Sequence, residues 1–491
     1  PDLTRDLIQA IHGTGHPPGL IAMEPPERQQ ADSVTVVDWH DILNEGMGLE
    51  TDLAEPGPDT TACLIYTSGT SGAPKGVMLS HGAILHNCRA AYRLLADTGL
   101  KDETFLSFLP LSHAYEHTVG QFFPIYVGAQ IYFCSGPDSL RHDMAMVEPT
   151  IMTAVPRLYE IMRDRMQRRV ARQSRLRRFL FHAALALGRR RYEGRITWPE
   201  RLADRFLERL VRDVVRTRFG GRLKALVSGG APLNPEVGLF FHALGVPILQ
   251  GYGQTESGPV VSCNPPAAPR LHTVGPPLSG VEVRTAEDGE ILVRGPNVMQ
   301  GYWNKPEATA ETLVNGWLYT GDVGHVDDQG YLNITDRKKD IIVLSGGENV
   351  APQHIEGRLT LEPQIGQAMV VGDHRPHLTA LIVPDSDWLA ARTGGPVPDR
   401  PSADPGLVDA IEGVVRGINA GLPAPERVRR FVVVDDPFSV ENGLLTPTMK
   451  IRRHRIAQAY DAVIRGLYGE GRHADDPTAR TVGSTGQANP S

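Results

Sequence analysis

The 491-residue chain is too long for one hydrophobic core, so its length predicts two or more domains. Hydrophobic residues make up 41%, charged residues 22% and the formal charge is −7, values typical of a soluble globular protein. No stretch approaches 18 uninterrupted apolar residues, so no membrane-spanning helix is expected, and the start shows no basic-then-apolar export signal. The four cysteines are too widely spaced for a zinc or disulfide site, so we expect them buried in a reducing cytoplasm, at Cys63, Cys88, Cys134 and Cys263.

Alternating strand-like and helical patterns predict an α/β protein. In chain order the patterns predict two strands, a helix and three further strands, at Val34–Trp39, Thr104–Leu109, Gly120–Val127, Ile131–Cys134, Leu223–Val227 and Pro247–Leu249. The last two strands each open onto a glycine-containing turn.

One block of the chain is strongly basic. Between Arg157 and Arg222 there are 20 arginines, no lysine and 7 acidic residues, which leaves a formal charge of −20 for the remainder. Within the block, apolar residues at helical spacing predict an amphipathic helix containing Leu202, Phe206, Leu210, Val214 and Val215. The charge is compatible with contact to nucleic acid, to an anionic lipid surface or to an anionic cofactor, and also with solvated helices. The block carries no known nucleic-acid motif, so we do not expect nucleic-acid binding.

The second half of the chain has a different pattern of predicted elements. Short strands between turns, at Val281–Arg284, Gly289–Val293 and Gly330–Ile334, predict a small β subdomain. A new unit is predicted to begin at Lys339. The expected domains are therefore residues 1–338 and 339–468, followed by a disordered tail, residues 469–491, without apolar periodicity.

A loop rich in hydroxyls and glycine follows the apolar segment Leu64–Tyr66, which we expect to be a buried strand. Backbone N–H groups in such a loop can turn toward an anion, and hydroxyls and one lysine add further donors. A Walker-type loop needs glycine directly before the lysine and serine or threonine after it, but Pro74 and Gly76 occupy those places. The loop therefore predicts a different kind of triphosphate site, formed by Thr67, Ser68, Gly69, Thr70, Ser71 and Lys75.

Four later segments offer groups that complement this loop. Tyr252 can stack on a flat base, Thr255 can reach a phosphate, and Glu256 can hold Mg²⁺ through oxygen. The turn that contains Gly230, Ala231 and Pro232 would let a base lie against backbone. Asp322 is suited to two ribose hydroxyls, with Arg337 as a second ribose or phosphate contact, and Lys450 follows a rigid proline-containing turn.

These segments occur in an order that resembles the adenylate-forming superfamily, over roughly residues 60–460. Leu109–His117, the arginine-rich insert and the segment Ile334–Asp340 resemble the long-chain fatty acyl-CoA synthetases most. The resemblance implies a large multi-subdomain adenylation domain and a small mobile α+β C-terminal domain. Only about sixty residues precede the phosphate loop, so the large domain is expected to be shortened at its N-terminus.

The resemblance also implies a two-step reaction with ATP, Mg²⁺ and CoA, in which a fatty acid carboxylate forms acyl-AMP and CoA then takes the acyl group. Lys450 would bridge the carboxylate and the α-phosphate, His113 would orient the acyl group, and Thr70 with Glu256 would hold the metal. The small domain would pivot at Lys339. The pivot would present a backbone passage for pantetheine at Ser345, Gly346 and Gly347.

Two other activities remain open at this point. One is an acyl-AMP ligase that delivers the acyl group to a carrier protein, and the other is a non-catalytic nucleotide or acyl-CoA binding homologue. The retention of Lys450 and Glu256 favours an enzyme. The location expected for it is the cytoplasm, with possible peripheral contact to an anionic inner membrane face.

Overall fold

The computed structural model describes residues 20–23, 36–48, 55–67, 74–136, 139–393, 398, 400–446, 449–470 and 479–482. Residues 1–56 and 57–491 form two compact units. In the first unit, β1 (Leu20–Ala22) pairs in parallel with β2 (Val36–Asp38). Helix α1 (Trp39–Gly46) follows at once because the Asp38 carboxylate accepts a hydrogen bond from the His40 N–H at 2.7 Å and caps the helix. The strand predicted over Val34–Trp39 is therefore found, but it ends one residue early.

The second unit begins with an antiparallel pair, β3 (Thr61–Thr67) and β4 (Lys75–Ser80), whose register places Thr67 opposite Lys75. The predicted strand is present, but the prediction that it is buried is wrong for two of its residues: Leu64 is 40% exposed and Tyr66 is 63% exposed. Alternate side chains of a strand point to opposite faces, so Leu64 and Tyr66 share a face that is open to solvent while Ile65 is buried on the other face.

The central sheet has the order β10-β9-β8-β7-β5-β6, and its five strands from β5 to β9 run parallel to their neighbours. The strands are β5 (Thr104–Ser107), β6 (Gln130–Phe133), β7 (Ile151–Ala154), β8 (Ala225–Ser228), β9 (Ile248–Tyr252) and the antiparallel β10 (Ser262–Cys263). Helices cover the sheet, so β5, β7 and β8 are buried along their whole length. The strands and the helix predicted for this region are confirmed, with ends shifted by a few residues.

Helices of the second unit up to residue 312 are α2 (His81–Leu95), α3 (Phe123–Val127), α4 (Leu140–Val147), α5 (Pro156–Ala171), α6 (Arg175–Tyr192), α7 (Trp198–Leu207), α8 (Asp213–Arg218), α9 (Pro235–Ala243) and α10 (Pro306–Thr312). Two π-helical turns, Glu116–Phe122 and Glu208–Arg212, join α3 and α8 to the segments before them.

The predicted amphipathic helix is confirmed as α7, the π-helical turn and α8. The face that it buries, however, is not the one formed by most of the residues that predicted it. Leu207, Val211 and Val215 are buried. Arg212 lies fully buried beside them, with Nη2 2.5 Å from Oδ1 of Asp204. Four of the five apolar residues that predicted the helix, all except Val215, point to solvent instead.

The predicted β subdomain is an antiparallel sheet of order β11-β12-β15-β14, with β16 also paired to β15. Its strands are β11 (Glu282–Thr285), β12 (Glu290–Arg294), β14 (Leu313–Val314), β15 (Trp317–Val326) and β16 (Leu332–Arg337), while β13 (Gly301–Tyr302) pairs with β4.

Residues from Ile342 onward build two hydrophobic clusters of their own. Their strands are β17 (Ile342–Val343), β18 (Asn349–Val350), β19 (Ile365–Val371), β20 (Leu378–Pro384), β21 (Val428–Val433) and β22 (Ala479–Thr481). Their helices are α11 (Pro352–Leu359), α12 (Ser386–Thr393), α13 (Pro405–Ala420), α14 (Arg453–Ala459) and α15 (Asp461–Leu467). The α/β class with a large first and a smaller second part is confirmed, and the separate clusters support the proposed boundary at Lys339.

The tail predicted to be disordered contains a strand. Residues 479–481 form β22, which pairs antiparallel with β21. The open edge of β21 offers N–H and C=O groups that a passing segment can satisfy, so the prediction is wrong for these residues.

Candidate active site

A cleft of about 2810 Å³ lies in the second unit and is lined by residues on both sides of residue 339. Sequence-predicted residues that line it are Thr67, Lys75, His113, Gly230, Ala231, Pro232, Tyr252, Thr255, Glu256, Asp322, Arg337, Lys339 and Lys450. Ser68, Gly69, Thr70 and Ser71 lie outside the described residues. Ser345, Gly346 and Gly347 are described but do not line the cleft.

The carboxyl end of β8 forms the floor of the cleft and is held by two tyrosines. The Val227 carbonyl accepts hydrogen bonds from the hydroxyls of Tyr115 and Tyr159, each at 3.0 Å. A Cβ on Gly229 would lie 3.0 Å from Cζ of Tyr115, so only glycine fits closely beneath that ring. The turn containing Gly230 is thereby fixed with its backbone open to the cleft, as a flat base requires.

Strand β9 delivers Tyr252, Thr255 and Glu256 through a tightly packed turn. A Cβ on Gly253 would lie 1.8 Å from the carbonyl oxygen of Pro259, so a larger residue there would displace the backbone. The three functional side chains flank this glycine and enter the cleft together.

Asp322 lies at the centre of a polar group. Its Oδ2 accepts a hydrogen bond from the Tyr252 hydroxyl at 2.7 Å, and its Oδ1 lies 3.2 Å from Nε of Arg337. The β15–β16 register places Asp322 directly opposite Arg337, which explains the pairing. The carboxylate is therefore oriented before any ligand arrives.

Glu256 is held by a partner that the sequence did not indicate. The Tyr302 hydroxyl donates to Oε1 of Glu256 at 2.9 Å, and Nζ of Lys75 lies 4.6 Å from the centre of the Tyr302 ring. Oε2 of Glu256 accepts no hydrogen bond within the part of the chain that the structure describes. Mg²⁺ commonly binds one or two carboxylates together with substrate phosphates. One free carboxylate oxygen beside a lysine fits that mode, and no cluster of three acidic, histidine or cysteine side chains occurs among the described residues.

His113 is positioned by the segment that follows it. Glu116 is fully buried and accepts hydrogen bonds from the hydroxyls of Ser107 at 2.6 Å and Thr153 at 2.5 Å. These bonds fasten the segment to β5 and β7. Burial and the nearby charge of Lys450 lower the pKa of His113, which favours the neutral imidazole.

Lys450 reaches into the cleft from the C-terminal part. Its side chain remains accessible to water within the open cleft, but protein surrounds it on most sides. This desolvation and the charge of Arg337 lower the pKa of Lys450 to about 8, against the opposing effect of Asp322. Lys450 therefore lines the same cleft as His113, Arg337 and Asp322.

Contacts across residue 339 hold this arrangement. Arg168 of α5 forms ion pairs with Asp385, at 3.2 Å, and with Asp387. The Asn234 side-chain amide donates to the Gly357 carbonyl at 2.9 Å. Lys339 lies in the turn after β16, and the turn of Ser345, Gly346 and Gly347 is exposed and does not line the cleft.

Asp336 was also missed by sequence reasoning. It is 3% exposed, and it accepts hydrogen bonds from the N–H groups of Arg337 at 2.7 Å and Gln353 at 3.3 Å. Burial raises its pKa to about 6. The Gln353 bond joins the end of β16 to the start of α11, so it crosses the proposed hinge.

Two family models of AMP-binding enzymes match the chain. The family model of AMP-binding enzymes matches residues 10–303, and that of the AMP-binding enzyme C-terminal domain matches residues 339–472. The chain belongs to the AMP-binding enzymes. A long-chain-fatty-acid–CoA ligase of Mycobacterium bovis, FadD15, is 35% identical over 426 residues, which cover 83% of this chain and 69% of that protein. The peroxisomal long chain acyl-CoA synthetase 6 of Arabidopsis thaliana is 33% identical, covering 92% of this chain and 67% of its own length.

Solved structures agree with this AMP-binding assignment. The adenylation domain of a carboxylate reductase from Mycobacterium chelonae superposes with a TM-score of 0.64 at 26% identity, covering 89% of this chain and 64% of that one. The AMP complex of O-succinylbenzoate coenzyme A synthetase from Bacillus subtilis superposes with a TM-score of 0.61 at 22% identity, over 92% of this chain and 80% of that one, and shows the shared fold. Within the described residues, no helix is both long and apolar enough to cross a bilayer.

Proposed function

We propose that this AMP-binding enzyme is an ATP-dependent ligase that activates a medium- or long-chain fatty acid as acyl-AMP and transfers the acyl group to CoA. The observation that carries the proposal is the position of Lys450, which follows residue 339 in the chain yet lines the same cleft as Asp322, Arg337 and His113. A cationic side chain at this point lowers the repulsion between a carboxylate and a phosphate, both of which are anions. The named fatty-acid–CoA ligases among the relatives support the same activity.

The first step is attack of a carboxylate oxygen on the α-phosphorus of ATP, which forms the acyl-phosphate bond and releases pyrophosphate. Asp322 accepts from the ribose hydroxyls, with Tyr252 and Arg337 fixing its orientation. Lys450 contacts the reacting carboxylate and the α-phosphate, while Lys75 and Thr255 bind phosphate oxygens. Glu256, oriented by Tyr302, would hold Mg²⁺, which supplies neutralisation of phosphate charge.

In the second step the sulfur of CoA attacks the acyl carbon, AMP leaves, and the thiol proton is lost to solvent. Ser345, Gly346 and Gly347 are proposed to line the pantetheine passage after the small domain pivots at Lys339. Their present exposure away from the cleft is compatible with a separate orientation for this step.

An aliphatic substrate is supported by the deeper wall of the cleft. This wall is apolar and includes Ala91, Leu94, Val119, Phe123 and Ile151. An extended alkyl chain buries apolar surface there at a gain of roughly 0.8 kcal/mol per methylene. His113 stands on the cleft lining near Lys450 and is proposed to orient the carboxylate end.

The function is tested by measuring pyrophosphate release over a series of carboxylic acids and thioester formation with free CoA. We expect palmitate to outcompete acetate and aromatic acids, and the thioester to form without a carrier protein. Release of pyrophosphate without thioester would instead indicate delivery to a carrier. Absence of both would contradict the ligase assignment.

Glu256→Gln isolates the proposed metal ligand in the same assay. Because a neutral amide is a poor Mg²⁺ ligand, pyrophosphate release should fall by at least roughly 100-fold. The matched control is Glu307→Gln, an exposed acid at the start of α10. Equal activity of the two variants would remove Glu256 from the mechanism.

A further inference from the structure

The exposed face of the α7–α8 helix carries a continuous apolar row. Its members recur every four residues and are highly exposed: Trp198 74%, Leu202 50%, Phe206 73%, Leu210 59% and Val214 49%. The opposite face packs into a hydrophobic cluster, so the row is not an alternative core contact. A π-helical turn at Glu208–Arg212 holds more residues per turn than an α-helix, and a four-residue spacing therefore stays on one face.

A second row lies beside the first. Arg201, Arg205 and Arg209 each precede one member of the apolar row by one residue, and all three are exposed. Within the described part of the chain none of the three has an acidic partner within ion-pair distance. The helix therefore presents a strip of large apolar side chains next to a strip of free positive charge.

The excess of arginines over acidic partners extends over the whole basic block, residues 157–222. All seven acids of residues 157–222 are paired with arginines of the block. The arginines that lack an acidic partner among the described residues are all exposed, at Arg165, Arg169, Arg172, Arg175, Arg177, Arg178, Arg201, Arg205, Arg209, Arg218 and Arg222. The charges of Arg169 and Arg141 contribute, after burial, to a lowered pKa of Arg218, so these positive groups converge in space.

We propose that this face, defined by Trp198, Leu202, Phe206, Leu210 and Val214 with the flanking Arg201, Arg205 and Arg209, docks onto an anionic phospholipid surface. An interfacial helix inserts large apolar side chains at the level of the headgroups while neighbouring arginines contact lipid phosphates. A nucleic acid would match the arginines but leave the apolar row in water. A second copy packed antiparallel about a two-fold axis perpendicular to the helix would bring two arginine rows together, which is unfavourable. The proposal does not depend on the ligase chemistry.

The test is co-sedimentation of the full chain with vesicles of pure phosphatidylcholine and of phosphatidylcholine containing one-third phosphatidylglycerol. The wild-type chain should bind the anionic vesicles preferentially, and added salt should weaken the binding. The double variant F206S/L210S should lose at least about fivefold in partitioning to anionic vesicles. The triple variant R201Q/R205Q/R209Q should lose its preference for anionic over neutral vesicles.

The matched control is L85S/Y92S, which removes two exposed apolar side chains from α2. It should bind vesicles as the wild-type chain does, and thermal unfolding verifies that all variants fold. The proposal is overturned if the wild-type chain does not bind vesicles, or if F206S/L210S binds as well as the control. A lipid-free dimer that F206S/L210S dissociates would also overturn it, because the row would then be an interface between copies. Binding of duplex DNA without vesicle binding would assign the arginines to nucleic acid.

Discussion

At the scale of single residues, the site depends on side chains whose ionisation the fold has altered. Lys450 has a lowered pKa and Asp336 a raised one, and both changes arise mainly from desolvation by the surrounding protein. Each group therefore titrates within a pH range where enzyme activity and stability can be measured. Both residues line the cleft, but the two effects are separable because Lys450 is tested by the rate of adenylation and Asp336 by the free energy of unfolding.

Lys450 predicts a falling limb in the pH profile of adenylation. Because its pKa in the free enzyme is about 8, the cation is lost above that pH, and kcat/KM for pyrophosphate release should then decline by about tenfold per pH unit. Lys450→Arg keeps its charge at these pH values, so that variant should be slower but lack the limb. Profiles with the same falling limb in both proteins would assign it to another group.

Asp336 predicts a pH-dependent change in stability. Its folded-state pKa is raised, so its contribution favours the folded state at low pH and is lost as pH rises through about 6. Asp336→Asn removes this pH-dependent contribution to the free energy of unfolding. Relative to the wild-type chain, the variant should gain about 1.5 kcal/mol in the free energy of unfolding between pH 5 and pH 8. Denaturant unfolding at the two pH values measures the difference.

Asp328→Asn, which removes an exposed carboxylate from the turn after β15, is the control for this comparison. A difference between variant and wild type that is the same at pH 5 and pH 8 would show that Asp336 is ionised in the folded chain as it is in the unfolded one.

At the scale of elements, α5 and the segment at α12 are joined by the ion pairs of Arg168 with Asp385 and Asp387. These residues are far apart in sequence and lie on opposite sides of the proposed hinge. Their pairing stabilises the orientation in which Lys450 faces Asp322. We expect these ion pairs to contribute to the adenylation step and not to thioester formation, because thioester formation is proposed to use the other orientation.

Arg168→Gln should therefore weaken adenylation more than thioester formation from supplied acyl-AMP. Partly exposed ion pairs contribute up to about 1 kcal/mol, so the expected loss is up to about fivefold. Arg165→Gln is the matched control, since Arg165 lies on the same helix and is exposed without an acidic partner among the described residues. Single-turnover measurement of each half-reaction tests this prediction, and an equal effect of both variants would show that the Arg168 ion pairs do not favour the orientation for adenylation.

At the scale of the whole molecule, the proposed mechanism requires two orientations of the C-terminal part. Replacing Lys339 by proline would fix φ at the proposed hinge. The Lys339 N–H donates no hydrogen bond within the described structure, whereas the neighbouring Lys338 N–H does, at 2.9 Å to the Gly321 carbonyl. A proline at 339 therefore removes mobility with little loss of bonding.

Lys339→Pro should spare pyrophosphate release and block thioester formation. Gly346→Leu should behave similarly by filling the passage, because a Cβ there meets only the flexible end of Glu348, at 2.4 Å. Gly347 is a poorer test position since its φ of +87° strains any other residue. If either variant loses both half-reactions equally, the two-orientation mechanism does not apply to this chain.

Local motifs let the sequence predict most of the candidate site residues that line the cleft, because each motif brings its own turn chemistry. The partners of those motifs could not be predicted in this way. Tyr302 reaches Glu256 through the pairing of β13 with β4, which no local pattern encodes. The amphipathic helix shows a similar limit. Its sequence holds two apolar rows, and only the tertiary packing decides that Leu207, Val211 and Val215 turn inward.

The close approach of Gly253 to the Pro259 carbonyl bears on how this enzyme can be re-engineered. With 1.8 Å between that oxygen and any added Cβ, a library randomised at position 253 would consist largely of misfolded members. Ala91 and Leu94 are partly buried residues of the apolar lining, so diversity introduced there meets no such backbone obstacle. Evolvability is thus unevenly distributed within a single cleft: the proposed acyl-binding wall can change, whereas the turn that carries the proposed phosphate ligands is fixed.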